Sequence, residues 1–140
     1  MSKLINQLKR HEGLSLSMYK CTADKWSIGY GINLEAGITE KEAEMLLVMR
    51  VEKVSFELLR KLPTSINTIL NEARENVLIN MAFNLGVNGL LKFKKMIAAL
   101  KVGDYNEASI QMMDSKWARQ VGSRAKELAE QMKTGVYLYD

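Results

Sequence analysis

One cysteine, one proline and one histidine in 140 residues each close off a class of explanation. A lone thiol, Cys21, leaves no internal disulfide, so a core must hold the fold, and such usage fits synthesis in a reducing compartment. Cys21 and His11 cannot build a metal site without borrowed carboxylates, so neither a metal nor a cofactor is expected. No apolar run approaches the roughly 18 residues of a membrane helix. The opening M-S-K-L-I-N-Q-L-K-R lacks the apolar stretch of a signal peptide. The expectation is a protein soluble where it is made, needing outside help for any export. Repeats, low-complexity segments and linkers are missing too, which points to one domain.

What is present suits a packed protein. Hydrophobic residues make up 47%, enough for a core at this length. Lys and Arg number 20 against 16 Asp and Glu, a net charge of +4 that suits a polyanionic partner: nucleic acid, a membrane surface or an acidic polysaccharide. The basic residues are dispersed, and no helix pattern interleaves them with aromatics, so nucleic acid is not the expected partner.

Helical spacing of Leu4, Ile5 and Leu8 predicts a first helix, with Ser2 able to cap it, ending at Gly13. Leu14, Leu16 and Met18 then alternate with Ser15, Ser17 and Tyr19. Beyond the turn T-A-D-K, Trp26, Ile28 and Tyr30 alternate with Ser27 and Gly29, predicting a small sheet over roughly 14 to 34. Thr39 and Glu42 have capping-box spacing and open the longest helical pattern: Ala43, Leu46, Leu47, Val51, Val54, Leu58 and Leu62 share a face until Pro63 stops it. About 23 residues at 1.5 Å each make roughly 35 Å, long enough to join two lobes. The remainder reads as short helices: one capped by Asn71 and closed by Gly86, one ending at Gly103, one opened by the Asp104–Glu107 box, a short one after Ser115, and a last after Ser123. The methionines Met81, Met96, Met112, Met113 and Met132 read as core filling. The fold class is α+β and mostly α-helical, with one small sheet.

Chemistry concentrates between His11 and Gly31. Glu12, Cys21, Asp24 and Ser27 fall within sixteen residues, the first at a helix end and the others around a turn, so that groups on different elements can face each other. Taken singly, Glu12 reads as a solvated side chain, Cys21 as a small buried hydrophobe, Asp24 as a turn former and His11 as an exposed neighbour. Together, an acid at a helix end and a polar pair on a hairpin match what glycoside hydrolysis needs, an acid on one side of the bond and a water-handling group on the other.

Eight residues separate Glu12 from Cys21 and five separate Cys21 from Ser27, flanked by E-G-L, Y-K and W-S-I-G-Y-G. This pattern resembles the phage-type lysozymes, glycoside hydrolase family 24, whose site is an E, eight residues, D or C, five residues, then T. G-I-T-E-K-E-A-E-M-L-L, N-V-L-I-N-M-A-F-N-L-G, S-K-W, S-R-A-K and K-T-G extend the resemblance over nearly the whole chain. It implies a lysozyme-like fold with an N-terminal lobe at about 13–38 and an interlobe helix at about 39–62. A helical C-terminal lobe at about 63–140 would follow, with the first helix packed on it. The run from Gly31 to Gly37 is short for the family, so the N-terminal lobe should be reduced.

By the same resemblance Glu12 is the general acid, kept protonated by burial. Cys21 stands where aspartate is commoner, Ser27 replaces a threonine, and the pair would seat the attacking water. Cys21 as a thiol is a poorer base than a carboxylate, and only Lys20 and Lys25 stand near it in sequence to lower its pKa. Arg124 matches the arginine that orients the acid. Gly31, Phe83 and Asn84 match substrate-binding positions, Asn84 standing where a glutamine is also found. The implied activity is that of a monomeric muramidase, an endolysin acting on bacterial peptidoglycan after a holin-type membrane lesion releases it from the host cytoplasm. The alternative is a catalytically weakened or inactive wall-binding module on the same fold.

Overall fold

The computed structural model describes residues 1–139. Helix α1 spans Ser2–Glu12 and ends at Gly13, whose φ of 70° turns the chain while its N–H reaches Lys9 O. Ser2 lies inside the first turn, and no side chain caps that end. Three antiparallel strands follow in spatial order: β1 Ser15–Lys20, β2 Trp26–Gly29 and β3 Ile32–Asn33. Ser27 stands opposite both Tyr19 and Asn33, and the register slips between Ser15 and Tyr19. A single 3-10 turn, Leu34–Ala36, closes the segment, with the Asn33 side chain accepting from Glu35 N.

Helix α2, Glu40–Lys61, carries the predicted capping box in full. Glu42 N donates to Thr39 Oγ1 at 3.1 Å, while Thr39 N and Oγ1 donate to Glu42 Oε1 at 3.0 and 2.9 Å. About four backbone N–H groups at a helix start lack partners within the helix; the box supplies one to Glu42 N and another to the N–H of Thr39 itself. The short α3 (Thr64–Asn67) follows Pro63, then α4 Glu72–Leu85, α5 Val87–Leu91, α6 Lys94–Lys101, α7 Tyr105–Met113, α8 Lys116–Val121 and α9 Ser123–Thr134. Asn71 caps α4 by accepting from Arg74 N at 2.9 Å. The Asp104 box is half made: Asp104 Oδ1 accepts from Glu107 N at 3.0 Å, but Glu107 turns to Gln111 and Asp104 N donates to Ala99 O. Ser123 is the first residue of α9 and makes no cap bond.

The chain forms two compact units, Met1–Leu46 and the portion from Leu47 onward, with the division inside α2. The second unit holds the core: Leu58, Ile66, Leu78, Met81, Leu90, Met96, Leu100, Met112 and Met132 are all buried, and Val54, Leu70 and Phe93 pack against them. Four of the five expected core methionines are in it; Met113, 37% exposed, is not. Burying a Leu or Met side chain contributes about 1.5–3 kcal/mol each, so this cluster dominates the fold's stability.

The first unit is built differently. Its one buried residue is Ser27. Leu14, just before β1, and Leu16 and Met18 within it are all exposed, while Ser15 and Tyr19 are half-buried. The α2 stripe is likewise covered only toward its C-terminal end, where Leu58 and Leu62 enter the core while Leu46 and Leu47 stay exposed.

Candidate active site

The residues expected to carry chemistry fall in both units. Glu12, Cys21, Ser27 and Gly31 lie in the first; Phe83, Asn84 and Arg124 lie in the second. Among the first four, Glu12 and Gly31 are in direct contact. Gly31 follows the tight turn after β2 with φ of 73°, and a Cβ there would sit 3.0 Å from Glu12 Cδ and overlap Oε2. The acid side chain thus lies over the bare Cα of the glycine. Glu12 is exposed and is the only acid in α1, at the end where Lys9, Arg10 and His11 suit the negative pole of the helix. Helix stability alone gives no reason for a carboxylate there.

Cys21 begins the turn between β1 and β2. Cys21 N donates to Lys25 O and Asp24 N to Cys21 O, both at 2.9 Å, and Asp24 adopts φ of 61°, the left-handed conformation that aspartate tolerates. Folding the chain back in this way aims N–H groups at the sulfur. The Lys25 N–H, then that of Ala23, hold the Cys21 pKa below the ordinary thiol value; slight desolvation opposes them, and the Ser27 hydroxyl and Cys21's own N–H add to the lowering. The neighbouring lysine charges are not the cause. Lys20 instead pairs with Asp24 at 3.4 Å and sits over the Trp26 ring at 5.2 Å.

Ser27, 3% exposed, shares this turn: its Oγ donates to Lys25 O at 3.3 Å. Its single proton can serve that carbonyl or the sulfur, not both, while its lone pairs stay free to accept from water. Cys21 and Ser27 are therefore adjacent on one end of the sheet, as their spacing implied. Asp24 is turned outward; its backbone N–H serves the turn and its carboxylate pairs with Lys20.

In the second unit α4 presents Asn76, Asn80 and Asn84 at intervals of four, one helical face. Each engages a residue late in the sequence. Asn76 Nδ2 donates to the Tyr137 hydroxyl, Asn80 accepts from Arg124, and Asn84 Oδ1 accepts from Trp117 Nε1 at 2.9 Å. Trp117 is buried and meets Phe93 edge-on at 6.3 Å, so Asn84 satisfies the one donor of a core indole. Phe83 is 42% exposed and lines a pocket of about 470 Å³ with Asn76, Asn80, Arg124 and Tyr137. A larger open groove, about 750 Å³ along α7 and α9, contains none of the expected residues. Asn80 was not anticipated from the sequence; the four-residue asparagine spacing was the available signal.

A family model described as Phage lysozyme matches residues 9–133. The chain is 32% identical over 116 residues to an endolysin of Acyrthosiphon pisum secondary endosymbiont phage 1, covering 80% of this chain and 75% of that protein. It is 28% identical over 165 aligned positions to probable T4-type lysozyme 1 of Dictyostelium discoideum, covering 96% of each. A 66-residue stretch, 47% of the chain, is 38% identical to 12% of the pre-baseplate central spike protein Gp5 of Enterobacteria phage T4.

Proposed function

Since the chain belongs to the phage lysozyme family, we propose that it is a muramidase that hydrolyses the β-1,4 bond between N-acetylmuramic acid and N-acetylglucosamine in bacterial peptidoglycan. The observation that carries this reading is the first unit's arrangement: an acid ending α1 lies against Gly31, at the family spacing from a Cys21–Ser27 pair set on one turn.

Glu12 then gives its proton to the glycosidic oxygen as the bond to the anomeric carbon breaks. A water held by Ser27 Oγ and Cys21 attacks that carbon from the opposite face, passing a proton to the sulfur, and the configuration inverts. The amide-stabilised thiol is a better acceptor than an ordinary one, because more of it is thiolate near neutrality. Glu12 is exposed in the free protein, not buried as the resemblance implied. Arg124 orients the acid, while Phe83 and Asn84 line the substrate cleft.

In this reading the protein is a monomeric endolysin, held in the host cytoplasm until a holin-type lesion admits it to the wall. No helix among the described residues is long and apolar enough to cross a membrane. The test is clearing of outer-membrane-permeabilised cells by wild type and Glu12→Gln. The amide keeps the volume but donates no proton to the leaving oxygen, so activity should fall on the order of 10²- to 10⁴-fold with circular dichroism unchanged. Full lysis by Glu12→Gln would remove Glu12 from the mechanism.

A further inference from the structure

Arg124, near the start of α9, is gripped by a single residue of α4. Its Nε and Nη2 donate to Asn80 Oδ1 at 3.1 and 2.7 Å, and Nη2 also reaches Asn80 O at 3.3 Å. One edge of the guanidinium is thereby fixed, and Nη1 makes no hydrogen bond among the described residues. The grip is made entirely by neutral oxygen. The ion pairs among the described residues are Lys20–Asp24 and Lys61–Glu57; Glu127, which shares the pocket with Arg124, does not pair with it. An aspartate at position 80 would give the same two-point fit with stronger, charge-assisted bonds, and would neutralise the arginine.

We infer that Asn80 is a positioning residue: it aims the Arg124 guanidinium and leaves the positive charge available. This rests on the reading above in which Arg124 serves the acid. A carboxamide is suited to the task because it supplies the geometry of a carboxylate without its charge.

The experiment compares Asn80→Ala, Asn80→Asp and Arg124→Ala. Asn80 is exposed, so the substitutions leave the core untouched. Two readouts are taken: the ¹⁵N NMR signal of the Arg124 Nε–H, and kcat and KM on soluble peptidoglycan fragments. Wild type should show a sharp, slowly exchanging Nε–H. Asn80→Ala should lose it and lose about 10- to 100-fold in kcat with little change in KM, the size of effect expected from a misaimed group. Asn80→Asp should keep the signal and the melting temperature yet lose kcat to a similar extent, which a merely structural asparagine would not do. Wild-type kcat in Asn80→Asp, or a retained Nε–H in Asn80→Ala, overturns the inference. If Arg124→Ala keeps wild-type kcat, the reading of Arg124 fails and the inference with it, even with the NMR contact intact. If Arg124→Ala is inactive while Asn80→Asp is fully active, the inference alone fails.

Discussion

The Glu12 carboxyl occupies the space that any side chain at position 31 would need. Gly31 is held at φ of 73°, and a Cβ there would overlap Glu12 Oε2. Two costs follow for Gly31→Ala. The left-handed backbone is unfavourable for alanine by about 1–2 kcal/mol. The clash itself is relieved cheaply, because the obstructing atoms are the tip of a flexible side chain, but relief means that Glu12 swings away. Activity should therefore fall much further than stability. A melting temperature lowered by a few degrees beside lysis lowered at least 100-fold is the expected pair of measurements; equal proportional losses would mean that the close contact has no part in placing the acid.

Asn84 joins α4 to Trp117, and the variant series at this position separates a structural from a substrate role. Asn84→Ala removes the acceptor from the indole N–H and should cost about 1 kcal/mol in urea unfolding, at the low end for an orphaned donor because Asn84 itself is exposed and water can enter. Asn84→Gln keeps an amide oxygen and should lose less. If Asn84 lines the cleft as well, Asn84→Ala should also raise KM, while Asn84→Gln keeps it near wild type. A KM unmoved in both variants would leave Asn84 with Trp117 alone.

The turn at Cys21 makes a prediction about pH. With its pKa lowered by the Lys25 and Ala23 N–H groups, the thiol ionises at lower pH than free cysteine, whose ordinary value is about 8.5. The rate of alkylation by iodoacetamide should rise with pH along a curve whose midpoint lies below that value. Ser27→Ala removes one of the lesser contributors, so the midpoint should move up but stay below free cysteine. A midpoint above 8.5 in wild type would mean that the amides do not reach the sulfur in solution.

Where the sequence was legible and where it was not has a physical logic. Element ends were readable because their signals are local: the Thr39–Glu42 box, Gly13, Pro63 and Gly86 each act on the few bonds beside them. Burial was less readable. Alternation says that Leu14, Leu16 and Met18 share a face, not that the face is covered, and in the first unit the covered side chain is a serine. The α2 stripe failed the same way, being covered only near Leu58 and Leu62. At the site, spacing brought Cys21 and Ser27 to one turn, but the groups that tune the thiol are backbone amides, which side-chain identities do not announce. Half of the Asp104 box was lost to Gln111, a competitor one turn away.

The lowered pKa of Cys21 favours two different reactions. A thiolate can accept the proton of the attacking water, or it can attack the anomeric carbon itself. In the first case Cys21→Asp should keep or raise lytic activity, since a carboxylate is fully ionised at neutral pH and accepts from water equally well. Cys21→Ser should be tolerated better than Cys21→Leu, which offers water nothing. In the second case the sugar would be carried on sulfur between two displacements, and the product would retain its configuration. The presence of Ser27 on the same turn favours the first, because a direct attack by sulfur needs no second group to hold a water at that moment. Mass spectrometry of enzyme quenched during turnover should accordingly find unmodified Cys21, and NMR of fresh product should show the inverted anomer. A glycosyl-cysteine at Cys21 with a retained anomer would replace water-seating with covalent catalysis, and the Cys21→Asp variant would then be read as a different nucleophile rather than a better base.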